Sequence, residues 1–103
     1  MFRLEPNPSF WARVALSIPG KEKPAYIEIE FKHKSRENLK EFLESLSDRD
    51  DLEALSEIIT NWKGVDADFS RENLSEMLAN YPKAAHEIFS VYHEEMLEAR
   101  RKN

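Results

Sequence analysis

The sequence predicts an α+β fold: an N-terminal antiparallel β-hairpin packed on a bundle of about four helices. Three observations predict it. Two segments near the N-terminus alternate apolar and polar residues with a period of two. A turn with a proline at each border separates them. Everything after Ser35 repeats its apolar residues at helical spacing instead. A chain of 103 residues is expected to be one domain spanning 1–103.

The hairpin is expected over about 9–33. In its first arm, Phe10, Ala12, Val14, Leu16 and Ile18 fall on one face, with Trp11, Arg13, Ala15 and Ser17 on the other. In its second arm, Ala25, Ile27, Ile29, Phe31 and His33 oppose Tyr26, Glu28, Glu30 and Lys32. Pro19-Gly-Lys-Glu-Lys-Pro24 turns the chain between them. A lone hairpin is marginal in water, so its apolar face must pack on the helical remainder of the chain. Each of the two strands is expected to leave one free edge.

Four helices are expected, over about 35–47, 50–62, 70–81 and 82–101. Ser35 caps the first, whose inner stripe is Leu39, Phe42, Leu43 and Leu46. Asp48-Arg-Asp-Asp51 ends it and offers caps for the second. Leu52, Leu55, Ile58, Ile59 and Trp62 form the second stripe, and Gly64 is its natural stop. Ser70 caps the third, with Leu74, Met77, Leu78 and Tyr81 inside. Pro82 suits the first turn of the fourth, where its missing amide costs nothing. Ala85, Ile88, Phe89, Tyr92, Met96 and Ala99 face inward there. Arg100, Arg101 and Lys102 stand where the helix dipole favours positive charge. Ser35-Arg-Glu-Asn-Leu39 recurs as Ser70-Arg-Glu-Asn-Leu74. A strand precedes one copy and a loop the other, so shared capping chemistry accounts for the identity better than an internal repeat.

Composition narrows the function. The chain has no cysteine, which excludes a disulfide framework, a thiolate zinc site and a cysteine nucleophile. No apolar run approaches the roughly 18 residues of a membrane span, and the N-terminus lacks the apolar core of a secretory signal, so no membrane partner is expected. The net charge of −5 is unevenly spread: residues 37–57 carry eight acidic and two basic side chains, while residues 1–36 carry seven basic and four acidic ones. An acidic middle repels a phosphate backbone, and the basic residues are scattered, so nucleic acid is not expected as a partner.

Catalytic and metal chemistry finds no pattern. His86 and His93 are seven apart, not the four of a helical metal pair, and His33 lies elsewhere. Asp66-Ala-Asp68 lacks the third acidic ligand and the glycine of a calcium loop. Two glycines, Gly20 and Gly64, make no phosphate cradle, and no nucleophile elbow surrounds any serine. No enzyme activity, cofactor or metal is expected.

The candidate binding residues are Trp11, Tyr26, Met96 and Leu97. Trp11 and Tyr26 share the polar face of the hairpin with Arg13, and exposed Trp, Tyr and Arg are enriched at binding hot spots. Trp11 reads equally well as a ring that covers the hairpin edge. Met96 and Leu97, with Ala84 and Val91, widen the apolar stripe of the last helix beyond one core contact; a broad core face explains the same width. Trp62 is expected to plug a junction between helices, and Phe69 to pack towards Leu74 as a hydrophobic staple.

The order of marks along the chain carries a resemblance. Trp62-Lys-Gly-Val-Asp-Ala-Asp-Phe69 leads into Ser70-Arg-Glu-Asn-Leu74, then Asn80-Tyr81-Pro82-Lys-Ala-Ala85, and closes on Ala99-Arg-Arg-Lys-Asn103. Leu4-Glu-Pro6-Asn-Pro8-Ser-Phe10 and Phe31-Lys-His33-Lys mark the hairpin's entry and exit. This series resembles one family of phage tail assembly chaperones, small proteins of tailed phages and prophages. The resemblance implies a non-enzymatic protein that binds the tape-measure protein in the bacterial host cytoplasm. It would hold that client until tail-tube subunits polymerise around it. Weak, multivalent contacts and some self-association go with that role. Two alternatives stand beside it: a minor structural tail component retained in the virion, and a small prophage regulatory or DNA-associated protein.

Overall fold

Alternation becomes structure at the N-terminus. Strands β1 (Ser9–Leu16) and β2 (Ala25–Lys32) pair antiparallel, with Phe10 opposite Phe31, Ala12 opposite Ile29 and Val14 opposite Ile27. A third strand, β3 (Ile59–Lys63), pairs antiparallel with β2, giving the sheet order β1-β2-β3. Among the described residues four α-helices accompany the sheet: α1 (Arg36–Ser45), α2 (Asp51–Ile58), α3 (Arg71–Asn80) and α4 (Ala84–Leu97). This computed structural model describes residues 1–98.

The third strand corrects two expectations. The second helix stops at Ile58 rather than running to residue 62, and the far edge of β2 is covered, so the sheet's edges belong to β1 and β3. The cause is a register shift. Glu30 pairs with Asn61 and Phe31 with Ile59, so Thr60 is the extra residue of a bulge. The bulge lets Ile59 and Trp62, three apart, both point inward. Three is also a helical spacing, which is why the stripe from Leu52 to Trp62 reads as one helix. Thr60 secures the bulge by donating from Oγ1 to the Glu30 carbonyl (3.2 Å) and to Glu30 Oε1 (2.9 Å).

Capping chemistry explains the helix starts. The Ser35 hydroxyl accepts from the Asn38 amide at 3.2 Å, and Ser70 from the Asn73 amide at 3.0 Å. Asp50 caps α2 through the Glu53 amide at 2.8 Å. The last helix is shorter than 82–101. Tyr81-Pro82-Lys83-Ala84 forms a turn closed by the Ala84 amide on the Tyr81 carbonyl (2.9 Å), with Pro82 at the position its fixed φ favours. At the other end Glu98 is already extended. Glu94 puts negative charge at the negative pole of the helix dipole, and among the described residues the last turn of α4 holds no basic side chain. The expected roles of Ala99, Arg100, Arg101 and Lys102 lie outside the described residues.

The core sits between the inner sheet face and the helices. Ala12, Val14, Leu16, Ile27, Ile29, Phe31, Ile59 and Trp62 line the sheet side and are all buried. α4 lies against β1, α2 lies against β2 and β3, and α2, α3 and α4 touch one another. An aromatic cluster forms the centre. The Tyr92 ring is 5.1 Å from Phe31 and stacks with Phe10 at 6.3 Å, and Phe42 stands edge-on to it at 6.1 Å. The Tyr92 hydroxyl donates to the Lys32 carbonyl at 2.9 Å, so no buried donor is stranded there.

Two polar ties fix how the layers meet. Glu87, in the first turn of α4, accepts from the Ser17 amide (3.0 Å) and the Ser17 hydroxyl (2.5 Å), pinning the turn end of the hairpin, just past β1, to the positive end of the helix. Glu57 bridges Lys34 and Arg49, both at 2.7 Å. The bond from Lys34 is the largest reason that the Glu57 carboxyl is held below its ordinary range, and Arg49 adds to it against partial burial.

Gly64 follows β3 with φ of +88°. A side chain there would lie 3.5 Å from the Tyr26 carbonyl and the Ile27 backbone, so space is adequate and the backbone angle is the obstacle. Gly64→Ala is expected to cost about 1–2 kcal/mol in urea unfolding, the strain of a left-handed non-glycine residue. An unchanged midpoint would show that the β3 exit tolerates a different turn.

Candidate partner-binding surfaces

The outer sheet face places two of the expected residues. The rows across it run Trp11–Glu30–Asn61 and Arg13–Glu28–Lys63, with Tyr26 beside Ala15. Trp11 is 38% exposed and Tyr26 55%. Neither ring is bare. Lys63 Nζ sits 4.1 Å from the Trp11 centroid, and the Arg13 guanidinium carbon 3.9 Å from that of Tyr26. Each such contact is worth about 0.5–1 kcal/mol at an exposed site. The face therefore presents cations resting on aromatic rings, with Glu28 and Glu30 between them. The Glu30 carboxyl is drawn below its ordinary range, first by the Ser9 hydroxyl and then by Thr60, with Lys63 adding charge.

The other two residues lie at the C-terminal end of α4. Met96 is half-buried against the core, and Leu97 is 53% exposed. Two grooves meet there. One, of about 380 Å³, is lined by Pro6, Phe10, Trp11, His33 and Met96. The other, of about 600 Å³, has Leu39 and Leu43 of α1 facing Met96 and Leu97. His33 and Met96 line both, so the two grooves adjoin. Trp11, Met96 and Leu97 are thus brought together. Tyr26 is not: it borders a separate cleft of about 380 Å³ with Arg13, Glu28 and Lys63.

Some exposed groups escaped sequence reasoning. Lys63 reaches Trp11 only because β3 joins the sheet. Phe2 and Leu4 are 90% and 95% exposed, on a segment tied down where the His33 amide donates to the Pro8 carbonyl at 2.9 Å. The signal for them was present: they precede the first strand and belong to neither of its periodic faces.

Trp62, Phe69 and Tyr81 belong to the segments that carry the resemblance. Trp62 is buried on β3 rather than closing a helix; its indole N–H donates to the Ala67 carbonyl at 2.8 Å, and Phe69 meets it edge-on at 5.2 Å. Phe69 thus packs on Trp62. Tyr81 is 37% exposed at the rim of a cleft of about 450 Å³ whose walls include Trp62 and Met77.

Among the described residues no three His, Asp or Glu side chains are grouped to hold a metal ion, and no helix is long and apolar enough to cross a membrane. No curated protein and no solved structure matches the chain. The phage tail assembly chaperone family matches residues 1–103, from the first position to the last. The chain belongs to that family of phage tail assembly chaperones.

Proposed function

We propose that this protein is a non-enzymatic holder of the tape-measure protein, acting as one domain in the host cytoplasm while the tail is built. The observation that carries the reading is the family match over the whole chain. The surface supports it in character. A holder must cover apolar faces of its client and later release them, so each contact is modest and several copies share the work. Trp11, Met96 and Leu97 line two adjoining grooves, and Tyr26 adds a second exposed ring on the same sheet face as Trp11. Exposed rings and apolar side chains of this kind also permit weak self-association. In this reading the four helices are the bundle that carries the sheet, and the net charge of −5 keeps a loaded complex soluble.

The test is co-expression with the tape-measure protein encoded nearest in the same genome. The soluble client is expected to rise and to elute with this chain. Trp11→Ala and Leu97→Ala, both at exposed positions, are expected to cut co-purified client about tenfold together while leaving the melting temperature within a few degrees. A client that stays insoluble, with nothing co-purifying, sinks the holding role.

A further inference from the structure

We infer that the groove between α1 and the end of α4 receives an amphipathic helix whose apolar stripe is flanked by acidic residues. This deepens the holding role proposed above and rests on it.

The walls are helical and the floor is apolar. α1 and α4 meet where the Phe42 ring stands edge-on to Tyr92. Past that contact Leu39 and Leu43 face Met96 and Leu97 across open space of about 600 Å³. A groove walled by two helices and floored by leucine and methionine suits a third helix, which anchors through side chains at i, i+3 or i+4, and i+7.

The rim chooses the sign of the partner's charge. Lys34, Arg36 and Lys40 stand along it, against Glu44. Lys34 is neutralised by Glu57 at 2.7 Å. Arg36 and Lys40 are exposed, and neither makes an ion pair among the described residues. They lie one helical turn apart, where like charges repel by a few tenths of a kcal/mol. An acidic flank on the incoming helix relieves that repulsion. On its α1 side the rim is net positive, in a protein of net charge −5. It steers acidic partners and rejects basic ones.

The chain's own exposed arm fits less well. Met1, Phe2 and Leu4 are apolar enough, but the arm sets Arg3 against a single Glu5 and brings no net negative charge. It therefore offers no complement to the unpaired cations of the rim.

Two fluorescein-labelled synthetic helices decide the matter. Both carry the same leucine stripe; one is flanked by glutamate, the other by lysine. Anisotropy titrations with the full chain are expected to show the glutamate-flanked peptide binding at least about tenfold more tightly, with the preference shrinking at high salt. The double variant Arg36→Glu, Lys40→Glu is expected to invert the preference, and Leu97→Asp to weaken both peptides. Both variants change exposed positions, and circular dichroism checks that they fold. Equal binding of the two peptides, no binding of either, or a preference that survives charge reversal overturns the inference. So does sedimentation showing a dimer that Leu97→Asp abolishes without any peptide preference, because that assigns the groove to a second copy. The holding role is scored separately. A client solubilised while both peptides fail rejects this groove alone. An acidic peptide bound while the client stays insoluble rejects the holding role and leaves the groove standing.

Discussion

Trp62→Ala is expected to remove about 3–5 kcal/mol of stability, the range for deleting a large buried aromatic side chain. Trp62 is 6% exposed and pairs across the sheet with Ile29. It also supports the loop that leads to α3, through the indole N–H on the Ala67 carbonyl and the edge-on contact with Phe69. Truncation leaves a cavity and a Phe69 without its platform. Domains are stable by only about 5–15 kcal/mol, so the variant is expected to be partly unfolded at 37 °C. Trp62→Phe separates the contributions. It keeps most of the ring volume, loses the hydrogen bond, and is expected to cost about 1–2 kcal/mol. Urea titration followed by circular dichroism reads both. A midpoint for Trp62→Ala close to that of the parent would mean that β3 is not held by its tryptophan.

Removing the centre of the aromatic cluster is the second large effect. Tyr92→Ala is expected to cost about 3–5 kcal/mol, because Phe10, Phe31 and Phe42 all pack on that ring. The hydroxyl adds a pH dependence of its own. Burial, aided by the charge on Glu57, pushes the Tyr92 phenol up to about 12 from its ordinary 10.0. The neutral form is the protonated one, so the folded chain keeps a proton that the unfolded chain releases near pH 10. The associated stability is whole below pH 10 and is lost as pH rises through 10 towards 12. A shift of that size corresponds to roughly 2–3 kcal/mol. Tyr92→Phe is expected to cost about 1 kcal/mol at neutral pH and to flatten this part of the alkaline loss. Equal slopes for parent and Tyr92→Phe between pH 10 and 12 would place the alkaline sensitivity elsewhere.

The two central aromatics were not equally legible. Tyr92 lies on a stripe whose spacing is helical and whose element is a helix, so its inward direction followed from periodicity. Trp62 also lies on a helical stripe, but its element is a strand. The end of α2 at Ile58 and the bulge at Thr60 together imitate the spacing of a continuous helix. Ile58, Ile59 and Thr60 are consecutive β-branched residues, and that local preference for strand pointed the other way. What decides between them is the vacant edge of β2, which a reading of one segment at a time does not see.

The binding surfaces divide in the same way. Trp11 and Tyr26 were legible as outward residues because alternation assigns each strand position a face. Their roofing by Lys63 and Arg13 was not. Lys63 is remote from Trp11 in sequence and reaches it only across the completed sheet. Met96 and Leu97 were legible as surplus apolar surface on one helix. That Met96 borders a groove with Trp11 depends on how α4 crosses β1, which no local pattern encodes.

Legible from the residues alone were the hairpin, its register of faces, the serine and aspartate caps, the apolar stripes of α1, α3 and α4, and the resemblance to the family. These arise from interactions between residues a few positions apart, where spacing and chemistry are sufficient. Only the tertiary structure decided the third strand, the separation of Tyr26 from the other three candidate residues, and the cationic rim over an apolar groove. Those depend on contacts between segments distant in the chain. Burial of apolar surface and satisfaction of a free strand edge there override the local preference of any one segment.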